Sequence, residues 1–264
     1  MIQTHFNLSR PLFPKDIKTK DLLNSEPRSE LVARLEHVRK HCGLFLLTGA
    51  PGTGKTAALR AWVDDLPDTN HKLVYLPLST ISPFDLYQHL NDAFGGQPVH
   101  RKAKLFANLQ TAIKDWVDTS RRLPILIFDE AHSLPQNTLL ELPMLLNFKM
   151  DSFDPMVVIL AGHERLAARL RTPLLRHLDQ RITLRFEMLP LDQDGSTAYI
   201  RHHLGIAGAN NDLFSGPAIN ALHKVARGTA RLINRVAIDA LTLVALEKRF
   251  QVTEEDIYNA SKSI

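Results

Sequence analysis

The stretch LFLLTGAPGTGKTAALR, residues 44–60, joins an apolar run to a helical one through eight residues that fit G-x-x-x-x-G-K-[S/T] at every fixed position. In GAPGTGKT the glycines Gly49, Gly52 and Gly54 let main-chain N–H groups turn inward, together with those of Ala50 and Thr53 around Pro51. The start of the following helix adds the positive end of its dipole. A loop of this kind cradles phosphates. Lys55 is placed to reach the β- and γ-phosphates of ATP, Thr56 to ligate Mg²⁺ through its hydroxyl, and Ala57 completes the nucleotide-binding set.

Working outward, five short apolar runs read as buried strands, at 44–48, 72–78, 124–130, 156–162 and 181–188. Helical patterns fall between them near 29–41, 54–65, 83–94, 103–119, 137–149 and 164–179, and Pro83 after Ser82 is a helix-start signal. Strands alternating with helices predict an α/β fold, a mostly parallel sheet with helices on both faces, over residues 29–190. After about Leu191 the strands stop. Helical stretches at 192–204, 215–227, 229–248 and 253–262 predict a small all-helical lid over 191–264, with starts at Ser215-Gly-Pro217 and Thr253-Glu-Glu255. Residues 1–28 read as a separate N-terminal segment.

The 264 residues carry a net charge of +4 with 44% apolar residues, an ordinary globular composition that permits a polyanionic partner without requiring one. No window is long and apolar enough for a membrane span, and the N-terminus MIQTHFNLSRPLF lacks the pattern of a secretory signal. The single cysteine, Cys42, excludes an internal disulfide and fits a cytoplasmic location. Two basic clusters stand out. Residues 99–122 hold Arg101, Lys102, Lys104, Lys114, Arg121 and Arg122 against two acids, and residues 163–185 hold six arginines against two acids.

The third apolar run ends ILIFDEAHSL, residues 125–134. Asp129 at its end is placed to hold the Mg²⁺ shell, and Glu130 to polarise water for attack on the γ-phosphate, which predicts hydrolysis. Asp-Glu-Ala-His is also a helicase label, but such a helicase needs two tandem ATPase domains. His132 then belongs to the turn after the strand.

With these motifs in hand, the chain resembles the AAA+ ATPases, which pair a P-loop domain with a helical lid. Within them HFNLSRPLFP, LIFDEAHSL, VVILAGHERL, LDQRITLRFEMLPL and ARGTARLINRVAIDAL look like the DNA-transposition helper ATPases of the TnsC, TniB and IstB kind, and the ExeA-type secretion ATPases share the style. The resemblance runs over about residues 4–262. It implies an arginine reaching a neighbouring subunit's γ-phosphate, with Arg176 and Arg181 at the matching location. It implies that Arg231, in GTARLIN, contacts the γ-phosphate from the lid. It also marks a departure: the fourth strand ends LAGHE, so only His163 is there to place the attacking water, which suits slow, partner-stimulated hydrolysis.

The same resemblance implies an ATP-dependent transposition regulator that oligomerises as a ring or helical filament on double-stranded DNA and recruits a transposase. Lys102 and Lys104, just before the helix starting near 103, are with Arg101 the candidate phosphate contacts on DNA. The alternatives are a secretion-type ATPase that assembles protein partners, whose relatives usually carry a membrane anchor, and a replication-initiator or loader ATPase.

Overall fold

The computed structural model describes residues 2–67, 69–77 and 80–262. Leu78, at the end of the predicted second strand, lies outside the described residues. In chain order the elements are α1 (Ile2–His5), α2 (Glu26–His41), β1 (Gly43–Thr48), α3 (Lys55–Asp64), β2 (His71–Leu76), α4 (Pro83–Ala93), α5 (Lys102–Asp118), β3 (Leu123–Phe128), α6 (Gln136–Leu145), β4 (Val157–Ala161), α7 (Arg165–Leu170), α8 (Arg176–Gln180) and β5 (Ile182–Glu187). Four helices follow: α9 (Gln193–Ala207), α10 (Gly216–Ala226), α11 (Ala230–Leu246) and α12 (Glu254–Ser261). Residues 30–49 and 62–187 form one compact unit, built on the sheet. Residues up to 29, 50–61 and from 188 onward form a second, largely helical unit.

The five strands are parallel in the order β2-β3-β4-β1-β5. Their carboxyl ends therefore share one edge, the edge at which such sheets carry ligands. Leu44, Leu46, Leu126, Phe128, Val158 and Leu160 pack on one face with residues of α4, α5 and α6. The intervening Phe45, Leu47, Ile125, Ile127 and Ile159 are buried as well. Burial of both faces explains why the central strands read as unbroken apolar runs, whereas edge strand β2 alternates buried and open positions along its second half.

Three boundaries differ from the sequence reading. β3 ends at Phe128, so Asp129 stands just past the strand: Glu130 takes a left-handed conformation (φ 52°, ψ 31°) and turns the chain into the 3-10 helix Ala131–Ser133. The single helix predicted over 164–179 is two, α7 and α8, parted by the 3-10 turn Pro173–Leu175. Proline offers no N–H to an ongoing helix and holds Thr172 extended (φ −66°, ψ 150°). The helix predicted to 149 stops at Leu145, ahead of three left-handed residues, Lys149, Met150 and Asp151, in a turn bridged by Phe148 and Phe153.

In the helical unit, Ile200, Leu204, Leu222, Val236, Ala240, Leu241 and Ile257 close a second core. Residues 2–29 belong to it and do not stand apart: Leu8, Leu12 and Phe13 are buried in that core, and the Ser9 N–H and hydroxyl both donate to the Ala207 carbonyl at 2.9 Å. The same burial, beside Phe13 and Tyr199, pushes the His203 imidazole down to about 4, so it stays neutral. Asp256 closes a capping box on Thr253 and accepts two N–H bonds from Arg249, which with Thr253 hold its carboxyl at about 2.

Candidate nucleotide-binding site

The phosphate loop folds on itself. The Ala50 carbonyl accepts from the Lys55 ammonium at 2.9 Å and from the Thr53 hydroxyl at 3.0 Å, and Lys55 is only 8% exposed. Lys55 opens α3, so the loop delivers the chain straight into a helix N-terminus. Gly52 has φ +83°, a conformation that side chains disfavour, and a Cβ built on it would lie 2.6 Å from the Arg231 Cβ and 3.2 Å from Thr229 Cγ2. The Arg231 N–H donates to the Gly52 carbonyl at 3.2 Å. The first turn of α11 is therefore seated on the loop through main-chain contact. Arg231 itself is exposed and, among the described residues, has no ion-pair partner.

The acidic end of β3 is built within the sheet unit. Asp129 is 6% exposed; its Oδ1 accepts from the Glu130 N–H at 2.9 Å and its Oδ2 from the Tyr75 hydroxyl at 2.9 Å. Burial and the neighbouring carboxylate push the Tyr75 phenol up to about 12, so it remains a donor at neutral pH. Tyr75 carries no motif, and sequence reasoning missed it. The Glu130 carboxylate is more than half exposed. His132 Nδ1 lies 3.5 Å from it but accepts the His163 N–H at 3.3 Å, and a ring nitrogen that accepts there does not donate to Glu130. The Glu130 turn is also clamped from α7, where the Arg169 guanidinium donates to the carbonyls of His132 (3.1 Å) and Leu134 (2.7 Å). His163 follows β4 as predicted, but its Nδ1 accepts from the Arg165 N–H at 3.3 Å, which leaves Nε2 as the ring's other polar edge.

A family model described as an AAA domain matches residues 38–170. The chain belongs to this AAA-domain family. It is also 32% identical over 268 residues to general secretion pathway protein A of Aeromonas hydrophila; the match takes in the whole chain but 48% of that protein, about half its length. Among solved structures it is similar to Cdc6p of Pyrobaculum aerophilum (TM-score 0.69, 16% identity, 99% of this chain and 71% of that one). The Aeropyrum pernix Orc1 protein, solved in complex with DNA, is comparable (TM-score 0.66, 17% identity, 93% and 69%). At these identities the structural likeness carries the fold: a five-stranded parallel P-loop sheet followed by a helical region.

Ion pairs and hydrogen bonds divide the arginines of residues 163–185. Arg169 is spent on the Glu130 turn, Arg181 pairs with Asp151 at 2.5 Å, and Arg185 pairs with Asp179 at 2.9 Å. Arg176, the first residue of α8, is exposed and without an ion-pair partner among the described residues. The other basic cluster divides too. Lys102 lies inside α5, not ahead of it, and is ion-paired with Glu141, which also accepts from the Tyr87 hydroxyl at 2.9 Å. Arg101 at the N-cap and Lys104 in the first turn are exposed.

No three His, Cys, Asp or Glu side chains among the described residues gather into a metal cage. The Asp129 carboxylate and the Thr56 hydroxyl are each a hard oxygen donor of the kind Mg²⁺ takes. No helix among the described residues is long and apolar enough to cross a membrane.

Proposed function

We propose that this chain is an ATP-hydrolysing assembly switch that oligomerises on duplex DNA and regulates transposition by recruiting a transposase. The observation that carries the switch is the seating of Arg231 on Gly52, which ties the lid helix α11 to the loop that would hold the phosphates. Gly49–Ala57 bind the nucleotide, with Lys55 at the β- and γ-phosphates. Thr56 and Asp129 hold Mg²⁺, which when bound neutralises phosphate charge. In the parallel sheet β1, which the loop follows in the sequence, and β3, which Asp129 and Glu130 follow, end at the same edge. Glu130, with its carboxylate open to water, is the general base, and His163 has one ring edge left to orient that water. Arg231 reads the γ-phosphate from the lid. Arg176 is the arginine offered to a neighbouring subunit, because Arg181 is held by Asp151.

The DNA reading rests on charge placement. Arg101 and Lys104 put cations at the positive end of the α5 dipole, an arrangement unfavourable by about 0.3–1 kcal/mol each unless a polyanion offsets it. Lys102, neutralised by Glu141, is left out of that contact set. A second reading, an ATPase that assembles protein partners, is favoured by the 32% identity to a secretion-pathway protein.

The test is duplex-DNA binding at two salt concentrations with ADP, ATP and a non-hydrolysable analogue, with electron microscopy of the same samples. Rings or filaments on DNA with triphosphate alone, trapped by Glu130→Gln and lost in Lys55→Ala, are the expected result. The double variant Arg101→Ala/Lys104→Ala lowers the salt slope by about 2, one for each lost phosphate contact. Assembly without DNA binding in any nucleotide state moves the assignment to the protein-partner reading.

A further inference from the structure

Tyr75 sits on the edge strand β2, where Val74 and Leu76 point into the core and Tyr75 points to the other face. Tyr75 is 43% exposed, and Leu73, two residues back on that face, is 37% exposed, so core packing does not account for an aromatic residue here. The strand register does. Tyr75 stands opposite Ile127 of β3, and Asp129, two residues beyond Ile127, lies on the same face. A diagonal neighbour at that spacing is within reach of a long aromatic side chain. The phenol bridges the gap and places its hydroxyl 2.9 Å from Asp129 Oδ2. The other oxygen, Oδ1, is fixed by the Glu130 N–H at 2.9 Å. The two donors sit on opposite oxygens, so each constrains the carboxylate's rotation about its terminal bond.

We infer that Tyr75 is a positioning residue, which orients the Asp129 carboxylate toward the Mg²⁺ shell of bound nucleotide. The inference rests on the nucleotide reading above and deepens it. A partner of this kind acts through the ligand it holds. Its loss weakens the response to the ion and leaves the phosphate loop's own hold on nucleotide intact.

The experiment compares wild type, Tyr75→Phe and Asp129→Asn in the full chain. Binding of a fluorescent ADP is titrated against Mg²⁺ and repeated in EDTA. Phenylalanine keeps the ring and the strand preference, so an unchanged melting temperature is expected. Affinity in EDTA matches wild type, while the half-saturating Mg²⁺ concentration for tight binding rises about 10-fold, the low end for loss of a group that orients a metal ligand. A Tyr75→Phe Mg²⁺ curve within about twofold of wild type, beside a shifted Asp129→Asn curve, overturns the role of Tyr75 alone. Curves that coincide for all three proteins overturn the assignment of Asp129 as well, and the inference falls with it. A loss of affinity in EDTA equal to that in Mg²⁺ shows a structural role and also overturns it.

Discussion

Replacing Gly52 by alanine puts a methyl group 2.6 Å from the Arg231 Cβ. Carbon atoms at optimal separation stand about 3.5–4.0 Å apart, so the first turn of α11 must retreat by about 1 Å. The struck atom is the root of the arginine side chain, and no rotamer change relieves it. The retreat stretches the Arg231 N–H bond to the Gly52 carbonyl, now 3.2 Å, to about 4 Å, beyond hydrogen-bond range. The lost bond is worth about 1 kcal/mol, the left-handed backbone about another 1, and the overpacking about 1–3. A total of about 4 kcal/mol corresponds to a melting temperature lower by roughly 10 °C at this chain size.

Gly54→Ala is the control: it shares a positive φ of +103° but meets only the flexible end of Met188 at 3.7 Å, so it carries the backbone strain alone. Arg231→Gly removes the struck atom. In that background Gly52→Ala should keep its strain and the 3.2 Å contact with Thr229 Cγ2 but shed the 2.6 Å clash, so the thermal cycle, run without nucleotide, shows a coupling of about 1–3 kcal/mol. Additivity within about 0.5 kcal/mol would refute the seating of α11 on the loop.

Two further predictions separate the arginines and test the capping box. Arg176→Ala should bind nucleotide as wild type does yet lose ATP turnover in the assembled state by about 10³-fold or more, read by phosphate release against protein concentration. Arg181→Ala should instead loosen the turn around Asp151 and leave turnover within a few-fold of wild type, and equal losses in the two variants would refute the sorting. Asp256, held at about 2 in the fold against an ordinary value of 3.8, contributes stability that is complete above about pH 4 and is lost as pH falls toward 2. That contribution is about 2 kcal/mol, so denaturation of wild type and Asp256→Asn should converge at pH 2 and diverge by pH 5.

The phosphate loop and the parallel sheet were legible because each rests on local pattern. GAPGTGKT is a contiguous loop, and strands buried on both faces advertise themselves as apolar runs. Pro173 was an equally local signal for the break between α7 and α8, and the N-terminal Leu8, Leu12 and Phe13 were apolar residues awaiting a core. Glu130 was legible as an acid but not as a left-handed residue, since that conformation is imposed by the turn it starts. Tyr75 was out of reach. Its meaning depends on the register of two strands, which brings it to a residue 54 positions along the chain, and no local period reports that register.

Charge counting failed for a different reason, and the failure is instructive about the site. Two clusters of six cations look alike in the sequence, but a cation's availability depends on whether an acid from elsewhere in the chain reaches it. Asp151, Asp179 and Glu141 reach Arg181, Arg185 and Lys102, and the carbonyls of His132 and Leu134 take Arg169. Each such cation must give up a partner before serving a phosphate, and separating a charged hydrogen-bonded pair sets about 1.5–3 kcal/mol against the new contact. Among the described residues Arg176, Arg231, Arg101 and Lys104 have no ion-pair partner and face no such exchange. Three of these four lie in the first turn of a helix, and Arg101 caps one. There the dipole opposes a positive charge, so the fold holds cations where a bound anion gains most from meeting them.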